Sequence, residues 1–162
     1  MLKYQVRFAY ENEWQDAMYL VWKTFLRFEA QDYTEQGIES FKEFITDQTL
    51  YKLFKLGTYQ MMVALDGERI VGVISLRNNS HISLLFVDER YHRQGVGSLL
   101  IHALAEYLST EENITKITVN AAPYAIGFYH KLGFKDTSTQ QESDGIKYTP
   151  MEYCYGNNVE EE

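Results

Sequence analysis

The chain of 162 residues carries a single cysteine and two prolines, and each scarcity excludes something. One thiol, Cys154, cannot build an intrachain disulfide framework, so a reducing compartment is the simpler expectation and Cys154 is expected to be packed rather than reactive. Proline-rich, low-complexity and repeated segments are missing, and a composition of 45% hydrophobic and 15% aromatic residues is that of a folded chain. Positive charge is also scarce. With 15 Lys and Arg against 23 Asp and Glu, the net charge is -8, which argues against nucleic acid as a partner because phosphate neutralisation needs clustered cations. It favours a cationic partner instead. Long apolar runs are lacking as well: Met1-Leu2-Lys3-Tyr4-Gln5-Val6-Arg7 alternates polar with apolar residues, and no stretch approaches membrane-spanning length. The expectation is a cytoplasmic protein with no membrane partner.

The length suits one domain, expected over 1–156, with 157–162 a solvated acidic tail ending in Glu160, Glu161 and Glu162. The four histidines, His81, His92, His102 and His130, fall in no ligand pattern with cysteines or carboxylates, so no metal site is expected. His102 and His130 are read as surface residues.

Tyr4, Val6 and Phe8 alternate with polar residues as a first strand would. From Trp14 to Phe28, and again over Ile38, Phe41, Phe44 and Ile45, apolar residues recur at three- and four-residue steps. Two helices joined near Ala30 to Gln36 follow from that spacing. Tyr59 to Leu65 and Arg69 to Leu76 read as strands of a hairpin around Asp66-Gly67-Glu68, and Asn78-Asn79-Ser80 turns into a third strand from His81 to Val87. A helix from Gly95 to Leu108, a strand from Thr115 to Asn120, and a short helix opened by Pro123 and closed by Gly133 come next. Phe134 to Thr139 and Ile146 to Tyr153 read as a last strand pair joined around Ser143-Asp144-Gly145. The order is β-α-α-β-β-β-α-β-α-β-β, an α/β (mixed α+β) chain. It predicts a mixed sheet of about seven strands flanked by about four helices, with one local parallel pairing where a helix crosses over.

The turn Arg90-Tyr91-His92-Arg93-Gln94-Gly95-Val96-Gly97-Ser98 sits between a strand and a helix. A helix start presents unpaired backbone N–H groups, and the glycines let a ligand reach the main chain without meeting a Cβ. That is the chemistry of a phosphate cradle. No Gly-Lys-Ser/Thr follows, and Leu100 stands where a dinucleotide fingerprint has its third glycine, so a different phosphorylated cofactor is indicated.

Two motifs make the chain resemble the Gcn5-related N-acetyltransferase superfamily over nearly its whole length. Val87-Asp88-Glu89-Arg90-Tyr91-His92-Arg93-Gln94-Gly95-Val96-Gly97 is similar to the family's pyrophosphate loop, usually Gln/Arg-x-x-Gly-x-Gly/Ala. Ala125-Ile126-Gly127-Phe128-Tyr129-His130-Lys131-Leu132-Gly133-Phe134 is similar to its A-x-x-F-Y-x-x-x-G-F helix. Two departures stand out. His92 replaces the usual Gln or Arg, and Ala122 stands where many members carry Asn, leaving Asn120 as the nearest substitute.

The resemblance implies acetyl-CoA as cofactor, its pyrophosphate on the main chain of His92, Arg93, Gln94, Gly95, Val96, Gly97 and Ser98, and its pantetheine arm along Leu85, Phe86 and Val87. Backbone N–H groups of that strand are then expected to polarise the thioester carbonyl. Tyr129 matches the tyrosine that many members place near the departing sulfur as general acid. Phenol and thiol differ by about 1.5 pKa units, so that proton transfer is uphill by only ~2 kcal/mol. The base is less defined: His81 is the first choice, directly or through water, while Glu29, Asp32 and Glu35, beside Tyr33 in the connection between the first two helices, are expected to bind the acceptor cation or to serve through water. The implied reaction is direct attack of a primary amine, small-molecule or peptide, in a ternary complex, without acylation of Cys154. Rival readings are a catalytically inactive acyl-CoA-binding or protein-interaction domain of the same fold, or an acyltransferase with another acyl group or acceptor. A homodimer through a sheet edge is compatible with the element order.

Overall fold

The computed structural model describes residues 3–155; the predicted acidic tail at 157–162 lies outside them. Period-two alternation produces strands where the sequence predicts them. β1 (Gln5–Phe8), β2 (Gln60–Asp66), β3 (Arg69–Arg77) and β4 (His81–Val87) pair antiparallel in that order. The tight turns between them use backbone that L-residues rarely adopt: Gly67 has φ 63°, and Asn78 and Asn79 have φ 52° and 75°, which is why short polar residues and glycine stand there. β5 (Lys116–Ala121) pairs parallel with β4, and β8 (Ile146–Cys154) runs antiparallel to β5. β6 (Lys135–Asp136) and β7 (Gln141–Ser143) both pair with β8. The result is an eight-stranded mixed sheet, order β1-β2-β3-β4-β5-β8-β6, with β7 on β8.

One strand more than expected arises because the run predicted over Phe134 to Thr139 is cut after Asp136. There the partner strand holds Pro150, which has no N–H to donate; Thr137 N–H donates to the Pro150 carbonyl at 2.9 Å and the chain bends away. β7 then becomes the partner of Ile146–Tyr148 through a turn at Asp144 (φ 54°) and Gly145 (φ 81°).

Among the described residues five α-helices cover the sheet: α1 (Trp14–Phe28), α2 (Glu35–Ile45), α3 (Gln48–Lys55), α4 (Val96–Glu111) and α5 (Ile126–Leu132). The sequence reading stops at Ile45 and omits α3. The Asp47 side chain accepts from Thr49 N–H at 2.9 Å and starts that helix afresh, and Leu50, Leu53 and Phe54 then join the core at helical spacing. Thr34 starts α2 in the same way, accepting from Gly37 N–H at 3.1 Å.

Two cores result, one on each face. α4 and α5 bury Leu100, Ile101, Leu104, Leu108 and Tyr129 against Ile117 and Met151. α1 to α3 bury Val21, Phe25, Ile45 and Leu50 against Met61, Val63, Leu84 and Phe86. A fully buried side chain such as Phe25 (0% exposed) contributes roughly 2–3 kcal/mol. Cys154, expected to be packed, is exposed: its side chain falls on the outer face of β8, opposite buried Met151. Among the described residues no helix is long and apolar enough to cross a membrane.

Asp88, directly after β4, fastens α1 to the sheet. Its Oδ1 accepts from Arg90 N–H at 2.9 Å, its Oδ2 accepts from Arg90 Nη2 at 3.1 Å, and Lys23 Nζ of α1 lies 3.6 Å away. The Arg90 guanidinium and main chain, with Lys23, hold the carboxyl down at about 2. That folded value lies below the unfolded one of about 3.9, so the stability it contributes is complete above pH ~4 and is lost as pH falls through ~2. Asp88→Asn is expected to cost about 1 kcal/mol at pH 7 through the lost cap and ion pairs. In urea titrations the gap to the parent protein should close on acidification through that window.

Candidate active site

β4 pairs with β5 only at His81↔Thr118 and Ile82↔Val119. The cause is visible in the next pairing: Ser75↔Leu84 is followed by Leu76↔Ile82, so Ser83 is an extra residue on β4. Such a bulge bends the strand that carries it, and from Ser83 onward β4 stays with β3 while β5 diverges. Leu85, Phe86 and Val87 therefore lie on the parted stretch, where main-chain groups facing β5 have no ladder partner. Leu85 and Val87 turn their side chains to the α4 core, Phe86 to the α1 core.

The parted stretch runs into the glycine turn. Gly95 adopts φ 83°, a Cβ placed on it would meet nothing within 4 Å, and no side chain caps the N-terminus of α4 behind it. The amides of the first helical turn, Val96, Gly97 and Ser98, are thus open to a ligand. Gly97 has another reason to lack a side chain: its Cβ would lie 3.0 Å from Phe128 Cζ on α5, so the two sequence motifs touch there. The residues present fit a phosphate-bearing group with an extended amide-containing arm. Arg93 is exposed at φ 64°. The Gln94 side chain is engaged elsewhere, its Oε1 accepting from the Tyr4 hydroxyl. His92 donates from Nε2 to the Val87 carbonyl at 2.7 Å, which fixes its tautomer and ties the loop to the end of β4.

Phe28, the last residue of α1, packs on the His92 ring at 4.8 Å and stacks on Tyr124 at 5.2 Å. Tyr124 lies in the turn that leads into α5, so this stack sets the end of α1 beside the start of the second motif. Glu29 follows immediately. It is half-buried, and its N–H donates to Phe25 O at 2.8 Å. Burial, with Asp32 beside it, pushes the Glu29 carboxyl up to about 7, and the negative end of α1 acts in the same direction. The Glu29 carboxylate in turn acts through space on two phenols. Tyr33 and Tyr129 are both pushed well above the ordinary tyrosine value, first by burial and then by Glu29.

The Tyr129 ring is 4% exposed and packs edge-on against Phe128 and Phe134. Its hydroxyl makes no hydrogen bond among the described residues, and since no fully buried side-chain polar atom there lacks a partner, the oxygen keeps some solvent contact. The charge of Glu29 thus bears on both Tyr33 and Tyr129, and that of Asp32 bears on Glu29. Tyr33 also bridges to Ile146, and Thr34 N–H donates to Gly145 O at 3.1 Å, joining this connection to the β7–β8 hairpin.

Two predicted site residues are placed apart. His81 sits where β4 and β5 are still paired, its Nδ1 2.8 Å from Thr118 Oγ1, and burial and Arg77 push its pKa down. The strand rise puts it roughly 13 Å from Leu85. Asn120 is exposed on β5, opposite Pro150. Sequence reasoning missed the Ser83 bulge and the Phe28 stack; the only hint of the bulge was that alternation fails over Leu84-Leu85-Phe86-Val87. A cleft of about 650 Å³ between α1 and the α2–α3 turn, lined by Trp14, Trp22 and Tyr51, holds none of the motif residues. Among the described residues no group of three or more His, Cys, Asp or Glu is placed to hold a metal ion.

The glycines make separable demands. Gly95→Ala is expected to cost about 1–2 kcal/mol in denaturant unfolding, from left-handed backbone alone. Gly97→Leu should disturb Phe128 and cost at least as much through overpacking.

Residues 29–154 match the family described as Acetyltransferase (GNAT) domain. The uncharacterized N-acetyltransferase YafP of Escherichia coli is 33% identical over 121 residues, 74% of each chain. In structure, the chain superposes on a GCN5-related N-acetyltransferase from Rhodopseudomonas palustris with TM-score 0.80 at 23% identity, covering 96% of this chain and 98% of that one. The PaiA N-acetyltransferase of Thermoplasma acidophilum, solved in complex with coenzyme A, gives TM-score 0.74 at 19% identity, covering 95% and 100%. With one motif on the glycine turn and the other on α5, this chain belongs to the GNAT acetyltransferase family.

Proposed function

We propose that the protein is an acetyl-CoA-dependent N-acetyltransferase that acts on a primary amine by direct attack within a ternary complex. The observation that carries the reading is that the parted edge of β4 at Leu85–Val87 leads, through one short turn, to the uncapped amides at Gly95–Ser98. Bound there, acetyl-CoA supplies an activated acetyl thioester.

The chain's own residues divide the remaining work. Amides at Val96, Gly97 and Ser98, with the open approach at Gly95, hold the diphosphate, and His92 keeps Val87 and the loop in register. Exposed Arg93 adds a cation beside them. Phe86 spends its main-chain groups on β3, so Leu85 and the Val87 N–H are the main-chain partners left for the extended arm, and an N–H from this strand polarises the carbonyl. Tyr129, its hydroxyl without a hydrogen-bond partner among the described residues, is the proton donor to the departing sulfur. Glu29, Asp32 and Tyr33 receive the acceptor, and their two carboxylates suit an ammonium group. Asn120 and His81 stand outside this core of contacts.

Calorimetric titration with acetyl-CoA is expected to show specific binding that Gly95→Glu abolishes, since that change sets a charged side chain in the cradle. Absence of binding by folded parent protein free of coenzyme A would sink the reading. Once binding is established, spermidine and a peptide with a single lysine serve as probe amines for coenzyme A release. Tyr129→Phe should bind the cofactor normally and lower turnover by ~10² or more; unchanged turnover at saturation removes Tyr129 from the mechanism.

A further inference from the structure

Glu29 is a carboxylate in an unusual place. It ends a helix at the pole that disfavours negative charge, it is half-buried, and among the described residues no cation pairs with it. The nearby basic groups are turned elsewhere: Arg27 faces Glu89 at 3.4 Å, Lys23 and Arg90 face Asp88, and His92 donates to Val87. The titratable groups that bear on it are Asp32 from the adjoining turn and the phenols of Tyr33 and Tyr129. The Phe28 stack on Tyr124 and His92 independently holds this end of α1 between the glycine turn and α5.

Resting on the acetyltransferase reading above, we propose that Glu29, not His81, is the general base that takes a proton from the acceptor ammonium, and that it is coupled to Tyr129. An ammonium entering beside Glu29 gives one proton to the carboxylate and becomes a nucleophilic amine. The nitrogen lone pair then forms the new bond to the acetyl carbon as the carbon–sulfur bond breaks. Tyr129 supplies the proton for the sulfur, and the second proton lost by nitrogen restores the phenol. Glu29 returns the first proton to solvent. One amide and one thiol form and one proton is released, so atoms and charge balance.

Coupling follows from the charges. While Glu29 is ionised, its field holds the Tyr129 proton in place. Once Glu29 has taken the amine's proton, that field is gone and the phenol becomes a better donor. Deprotonating the nucleophile thus prepares the acid for the leaving group.

The test has two readouts. In protein free of cofactor, carbon-13 NMR of labelled Glu and Tyr should show one glutamate carboxyl titrating near pH 7. The Tyr129 Cζ shift should move with the same midpoint, and Glu29→Gln should lose both. In turnover, measured with whichever of spermidine or the single-lysine peptide is acetylated faster, kcat should fall as pH drops below about 7. Glu29→Gln should lower kcat by ~10²–10³ and remove that inflection while KM for acetyl-CoA stays unchanged. Glu29→Asp, shorter but ionisable, should keep the inflection and part of the rate, which a merely structural role would not do.

A parent protein in which no glutamate titrates above pH 6 overturns the proposal. So does a Glu29→Gln variant that keeps rate and inflection, or one that raises only the KM for amine; in those cases the acetyltransferase reading stands. Parent protein that binds acetyl-CoA and releases no coenzyme A with either amine fails the reading itself, and the proposal with it.

Discussion

β4 has two neighbours that it cannot both follow. It pairs with β3 along its length and with β5 only over its first two residues, and the extra residue at Ser83 is where the choice is made. Unpaired main-chain groups are costly when buried dry, about 1–3 kcal/mol each, so a parted strand persists only where a solvent-filled or ligand-filled opening meets its edge. Here the two helical layers hold the parting open. Ile82 and Val119 pack under α4, Leu84 and Phe86 under α1, so closing β5 onto β4 would require both cores to be remade.

α1 transmits that arrangement to the other half of the site. Lys23 meets Asp88 just beyond β4, Arg27 meets Glu89 one residue later, and Phe28 lies on His92 and Tyr124. Three successive contacts along one helix therefore index its last turn to the glycine loop and to α5. The exposed Arg27–Glu89 pair adds little energy; Asp88, buried and multiply bonded, and the aromatic stack are the firmer fixings. What lies beyond them, Glu29 and the turn to Tyr33, inherits its position.

Local patterns made most of this legible in the sequence. Alternation located β1 to β4, Asp66-Gly67 and Asn78-Asn79 marked turns whose positive φ values the structure contains, and the two motifs marked α4 and α5. The misses were tertiary. α3 is only eight residues long, too short for its apolar spacing to stand out without knowing where α2 ends. The strand predicted from Phe134 is cut by Pro150, fourteen or more residues away in sequence, and no local window links the two. Cys154 was expected inside because cysteine is usually buried, and the pleat of β8 turns it out. At the site, the carboxyl at position 29 and the phenol at 129 were each singled out. The Phe28 stack that sets the end of α1 beside the turn into α5 is not encoded by spacing along the chain.

The raised Glu29 carboxyl changes the energetics of the chemistry. A lysine-like ammonium near 10.4 facing an ordinary glutamate near 4.3 must lose its proton uphill by six units, about 8 kcal/mol. With the Glu29 carboxyl at about 7, the gap is about 3.4 units, or ~4.6 kcal/mol. That remaining gap equals the cost of freeing the amine unassisted in water at neutral pH. A raised base does not improve on bulk water in concentration of free amine; it improves on an ordinary carboxylate, and it does so at the point of attack. An exposed surface glutamate would bind the ammonium as an ion pair and hold it protonated. A glutamate kept at a helix C-terminus, shielded by aromatic rings and faced by Asp32, is a weaker ion-pair partner and a stronger proton acceptor. Aromatic side chains around the end of α1 bury surface there, and burial is also the first cause of the raised Glu29 carboxyl on which the proposed base role rests.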